Sequence, residues 1–80
     1  EEFLILLPET RLEQAAMCVQ RSRASLAETQ ASDSIPGLRA TFSAGITEFV
    51  ANDTIDSTIE RADRALYSAK SAGRDRACLI

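Results

Sequence analysis

The sequence has no histidine and only two cysteines, Cys18 and Cys78. Without imidazole, and with the two thiols far apart in the chain, no zinc-ligand spacing is present. Lone cysteines among apolar neighbours read as buried thiols of a reducing compartment, not as a disulfide. Basic residues are in the minority, nine Lys and Arg against twelve Asp and Glu, for a formal net charge of -3. That balance argues against a general nucleic-acid or membrane-surface binder. No apolar run approaches the ~20 residues that span a bilayer. The acidic start lacks the basic flank and cleavage pattern of a secretory signal. Internal repeats and low-complexity tracts are absent as well.

What remains is a chain of 80 residues, 45% hydrophobic and 26% charged. This fits one small domain with a thin stability margin. It opens "EEFLILLPET", two acids in front of nearly solid hydrocarbon. Phe3-Leu4-Ile5-Leu6-Leu7 is apolar at both phases of a period-two pattern, which predicts a central strand covered on both faces. Pro8 has no N–H for a ladder and ends it. Thr10 and Glu13 have capping-box spacing at the head of a helix, whose stripe runs Leu12, Ala15, Val19, Ser22 and Leu26 to near Thr29. "TQASDSIPG" is a loop with a Pro36-Gly37 turn.

Leu38, Ala40, Phe42, Ala44 and Ile46 then alternate with small or polar residues, as in a half-buried strand. Gly45 within it signals a close approach by another backbone or a ligand, or a bulge. Thr54 is a good N-cap with Asp56 in the first turn. Ile55, Ile59, Ala62, Leu66 and Ala69 predict a second helix, with Glu60 and Arg64 paired on its wet side. Gly73 is its left-handed cap. Residues 76–79 close the chain as a short strand. The predicted order is β-α-β-α-β, an α/β (α+β) arrangement.

Three stretches carry a family resemblance. "EEF" at the start resembles the last three positions of the Gly-Gly-Asp/Glu-Glu-Phe motif of GGDEF domains, the diguanylate cyclases. "TFSAGIT" fits the family's Ser-x-Gly-Val/Ile strand. "RADRALYSAKSAGRDR" resembles its C-terminal signature, Arg-Ala-Asp-x-Ala-Leu-Tyr-x-Ala-Lys-x-x-Gly-Arg-Asn. The last is the specific one. The resemblance spans all 80 residues in order, and it implies that residues 1–80 are the C-terminal half of one such domain, starting at the motif's third position. It implies a nucleotidyl-cyclase-like fold with a central, mostly antiparallel sheet. The family condenses two GTP molecules into cyclic di-GMP, a phosphoryl-type transfer that depends on positioning and on charge neutralisation by Mg²⁺ or Mn²⁺. Partners implied are GTP, cyclic di-GMP and a second GGDEF domain in a homodimer. The implied location is cytoplasmic, in a parent that unseen upstream regions can anchor to a membrane.

Carried over residue by residue, Glu1 matches the catalytic and metal-binding acid, and Glu2 is a further metal candidate. From composition alone, Glu1 reads as the solvated end of a strand. Lys70 and Arg74 match the positions that hold the GTP phosphates, Arg suiting a fork and Lys a point charge. Without the family, their i, i+4 spacing reads equally as two cations aimed at one anion or as basic residues facing the last carbonyls of a helix. Arg21 aligns with a helix arginine used in product inhibition, and reads otherwise as a surface arginine. Tyr67 reads as packing with its hydroxyl wet. Asp75 departs from the family's Asn, which puts a turn or a local hydrogen bond in doubt.

Two other readings stand beside the cyclase. One is a degenerate GGDEF domain acting as a nucleotide-binding or regulatory module. The other is a small α/β module that associates through its strand edges. On any of them the apolar run at residues 3–7 needs cover. The isolated 80 residues are therefore expected to self-associate. Analytical ultracentrifugation checks this, and a stable monomer at micromolar concentration would contradict it.

Overall fold

The computed structural model of the chain describes residues 1–29 and 34–80. Four elements form in the order α1 (Leu12–Glu28), β1 (Ala44–Ile46), α2 (Ile55–Ser71) and β2 (Ala77–Leu79). The two strands pair in parallel, with Ala44 opposite Ala77, Gly45 opposite Cys78 and Ile46 opposite Leu79. The ladder extends past both ends. Ala44 N–H donates to the Arg76 carbonyl at 2.9 Å and Ile80 N–H to the Ile46 carbonyl at 3.0 Å. The mixed α/β class is as predicted, but the antiparallel sheet is corrected. The connection between β1 and β2 contains a 17-residue helix, and such a crossover returns the chain in the same direction. Among the described residues both helices touch both strands and not each other. The strand pair is the layer between them.

The predicted first strand does not form. Residues 1–7 have no strand partner, and Phe3, Leu4, Ile5 and Leu6 are all exposed, Leu6 by 83%. A strand apolar on both faces needs a neighbour for its ladder and a layer on each side. Among the described residues nothing supplies either. The strand predicted over residues 38–46 shortens to Ala44–Ile46 for the same reason: only that stretch lies beside β2.

The start of α1 is also corrected. The Thr10 hydroxyl donates to the Pro8 carbonyl at 2.9 Å and caps nothing. Arg11 is the N-cap, and its N–H donates to Gln14 Oε1 at 3.0 Å. The next free donor, Leu12 N–H, goes to the carboxylate of Glu48 at 3.0 Å. A distant acid thus satisfies an orphan N–H and faces the positive end of the helix. The inward line of α1 runs through Leu12, Ala15, Val19 and Leu26 as predicted, with Arg23 in place of the exposed Ser22.

Helix α2 begins as predicted. Ser57 N–H donates to Thr54 Oγ1 at 3.0 Å and Thr54 N–H to Ser57 Oγ at 2.9 Å, two orphan donors satisfied reciprocally. Its end is a Schellman motif: Gly73 N–H reaches the Lys70 carbonyl at 3.3 Å and Arg74 N–H the Ala69 carbonyl at 2.9 Å. Gly73 sits at φ 124, a region closed to most side chains. The buried face is centred on Ala65 and Ala69, both fully buried. The predicted stripe holds at Ala62, Leu66 and Ala69 but not in the first turns, where Ile55 and Ile59 are exposed. Glu60 and Arg64 form no ion pair among the described residues. The Pro36-Gly37 turn is present, with Leu38 N–H on the Ile35 carbonyl at 3.2 Å and Gly37 at φ 85. The rest of that predicted loop, residues 30–33, lies outside the described residues. Both cysteines are free. Cys18 is exposed on α1, against the expectation of burial, because it faces away from the strands, and Cys78 is half-buried on β2.

Among the described residues the core consists of Ala15, Ile46, Ala65 and Ala69. Small side chains let backbones touch, and Gly45 is the limit of this. A Cβ there would lie 2.1 Å from the Ala62 carbonyl oxygen and 2.2 Å from the Leu66 nitrogen. Of the readings open for this glycine, the close backbone approach holds. Gly45→Ala must push β1 off α2. It is expected to destabilise by about 3 kcal/mol or more, read as a lower midpoint in urea unfolding.

Candidate functional site

Helix α2 presents Asp63, Leu66, Tyr67 and Lys70 at i, i+3, i+4 and i+7, along one face. With Glu2 they line a hollow of ≈ 200 Å³. At its centre Lys70 Nζ donates to Glu2 Oε2 at 2.8 Å. The contact joins residues 68 positions apart, the beginning of the chain and the last turn of α2. Hydrogen bonding from the Lys70 ammonium, and then its charge, hold the Glu2 carboxyl below its ordinary range. Glu1 is exposed beside it. Tyr67 does not pack as predicted: the residue is 74% exposed at the edge of the hollow.

Arg74 is not brought into this contact. The left-handed Gly73 ends the helix, and Arg74 at φ 63 and Asp75 at φ 48 continue the turn. Arg74 is therefore off the helix face that carries Lys70. Arg21 is exposed on α1 and lines a separate, wider hollow of ≈ 550 Å³ with Cys18, Ser22, Ser25, Leu26 and Thr29. None of the other sequence-predicted site residues borders it.

Asp75, where the family's Asn was expected, anchors the turn instead of loosening it. Its carboxylate accepts from Arg23 Nη2 at 2.9 Å, and its carbonyl accepts from the same nitrogen. Its N–H donates to Ser43 Oγ at 3.1 Å. The turn beyond Lys70 is thereby tied to α1 and to the approach to β1.

A second polar cluster holds α2 itself. The Arg61 guanidinium grips Asp53 with a fork, Nη1 to Oδ1 at 3.0 Å and Nη2 to Oδ2 at 2.7 Å. It also donates from Nε to Thr47 Oγ1 at 2.6 Å and from Nη2 to the Glu48 carbonyl at 2.8 Å. Asp53 accepts further bonds from Val50 N–H at 2.9 Å and Ser57 Oγ at 3.0 Å. Arg61 first, then Val50 and Ser57, hold its carboxyl far below the ordinary aspartate value, while the Arg61 guanidinium is pushed up.

Sequence reasoning missed Asp63, Arg61, Asp53 and Glu48, and placed Leu66 in the apolar stripe of α2 without its part in the hollow. The i, i+3, i+7 spacing of Asp63, Leu66 and Lys70 was a usable signal. Nothing local signals Arg61 with Asp53, because their separation matches no helical pair and half the cluster is in a loop. As for a divalent cation, Mg²⁺ takes one or two carboxylates and completes its shell with water and phosphate. Glu1 and Glu2 offer that donor chemistry. Among the described residues no three His, Cys, Asp or Glu side chains could form a cage of protein ligands alone. No helix among them is long and apolar enough to cross a membrane.

Comparison with known proteins agrees with the motifs. The sequence model of the family described as "Diguanylate cyclase, GGDEF domain" matches residues 1–76. The chain is 47% identical over 76 residues to the diguanylate cyclase DgcP of Pseudomonas aeruginosa, covering 95% of this chain and 11% of that protein. It is 43% identical over 77 residues to DgcM of Escherichia coli K12, covering 95% and 18%. It is 35% identical over 81 residues to VdcA of Vibrio cholerae, covering 95% and 23%. The chain thus spans less than a quarter of the length of these relatives. No solved structure matches it significantly.

The Asp53 clamp has a pH signature. Its carboxyl ionises below the ordinary 3.8 in the folded state. Its contribution is complete above that value and is lost as pH falls through the lower folded value. Asp53→Asn is expected to melt at lower temperature than the parent at neutral pH. The gap should narrow as pH drops below about 3.8, read from thermal midpoints across an acid pH series.

Proposed function

The chain belongs to the GGDEF family, and on that premise we propose that residues 1–80 are the C-terminal half of one diguanylate cyclase domain. In this reading Glu1 stands at the motif's third position. Its activity is the condensation of two GTP into cyclic di-GMP, the 3′-hydroxyl of one attacking the α-phosphorus of the other as pyrophosphate leaves. The observation that supports this best is the Glu2–Lys70 contact. It joins the first and the last of the three stretches that carry the family resemblance into one charged hollow, as a shared triphosphate site requires.

In this reading Glu1 and Glu2 are the acids toward a divalent cation, with Glu1 the catalytic one. Lys70 and Arg74 hold phosphate oxygens, Lys70 from the helix face and Arg74 from the turn behind it. A bound Mg²⁺ would supply charge neutralisation at the phosphates. Gly73 and the Asp75–Arg23 tie fix where that turn points. Arg21, apart from this hollow, is the candidate contact for inhibitory product. Two such domains meet as a homodimer, each bringing one GTP, in the cytoplasm. These 80 residues hold only part of each site, so alone they are inert: with Mg²⁺ and GTP they should yield no cyclic di-GMP.

Lys70→Glu in the full-length protein tests the site. GTP affinity, measured by calorimetry, should fall by about tenfold or more. Unchanged affinity would assign Lys70 to the carbonyls at the end of α2 instead.

A further inference from the structure

The hollow around Lys70 has the wrong sign for a bare anion. Its charged lining consists of Glu2, Asp63 and Lys70, so it is acidic on balance, and Glu1 adjoins it. The single cation is already engaged, its ammonium 2.8 Å from the Glu2 carboxylate. Lys70 is also the more confined partner, with 35% of its side chain exposed against 58% for Glu2. A free phosphate approaching Nζ meets a compensated charge and two nearby carboxylates of its own sign. A phosphate chain that arrives with a divalent cation meets a different field. The cation neutralises the acids, and one of the three ammonium donors can stay on Glu2 while the others turn to phosphate.

From this geometry, and resting on the phosphate-site reading of Lys70, we propose that Glu2 is a specificity-determining residue. It withholds Lys70 from metal-free phosphates and so restricts the site to cation-complexed ones. This differs from a role as metal ligand alone. A ligand role predicts that removing the Glu2 charge weakens nucleotide binding only when a cation is present, and changes nothing without one. The proposed role predicts that it strengthens binding when no cation is present. The discrimination comes from the unfavourable term as much as from the favourable one.

The test is calorimetric binding of GTP to the full-length protein, in Mg²⁺ and in EDTA, for the parent, Glu2→Gln, and Glu2→Gln with Lys70→Ala. Glu2 lies in the exposed opening segment, so Glu2→Gln leaves the packed core untouched, and far-UV circular dichroism checks this. The expected result is weak binding in EDTA for the parent and a gain of about tenfold for Glu2→Gln. That gain should be lost when Lys70 is also removed. If GTP binds the parent in Mg²⁺ through Lys70, but Glu2→Gln leaves EDTA affinity unchanged or lower, the specificity role is overturned and the phosphate site survives. If the parent binds GTP in neither condition, the phosphate-site reading falls, and this inference with it.

Discussion

Arg61 is the joint on which this fold turns. Its fork on Asp53 fixes the loop between β1 and α2, and its remaining donors hold Thr47 and the Glu48 carbonyl at the exit of β1. Asp53 passes the constraint on to Val50 and to Ser57 in the first turn of α2. Glu48, whose carbonyl is held, places its carboxylate on the first turn of α1. One guanidinium therefore sets the strand exit, the loop, the start of one helix and, through Glu48, the start of the other. The planar five-donor fork makes this possible, and lysine would offer only a point charge.

That joint matters because the apolar core is thin. Among the described residues, three of its four members are alanines, which bury little area each. They allow α2 and β1 to meet backbone to backbone at Gly45. Polar ties at both ends of α2 then determine its register. The Asp53 clamp and the Thr54–Ser57 box hold its start. The Schellman turn and the Arg23–Asp75 pair hold its end. The site inherits its geometry from this. Lys70 projects from the last turn of a helix fixed at both ends, and meets Glu2 from the opposite end of the chain.

The candidate site was legible as residue types but not as a charge balance. Glu2 and Lys70 came from the motifs, and folding brings the two side chains into contact. Arg74, four residues beyond Lys70, was expected to share its target. Gly73 takes the chain off the helix before Arg74, so spacing counted along a helix no longer applied. Asp63 stands in the specific signature and passed unnoticed, since a carboxylate on a helix face has no meaning until its neighbours across space are known.

The sequence alone determined both helices, the caps at Thr54 and Gly73, the Pro36-Gly37 turn, the stretches within which β1 and β2 lie, and the family. These follow from local rules: periodicity, capping chemistry and fixed-spacing motifs act over a few residues. Tertiary structure alone decided that the strands run parallel, that residues 3–7 find no ladder, that Glu48 caps a helix 36 positions away, and that Arg61 closes on Asp53. Each of these depends on which groups meet after the chain has folded back. An unpaired N–H or a buried charge takes whatever partner that packing brings within reach.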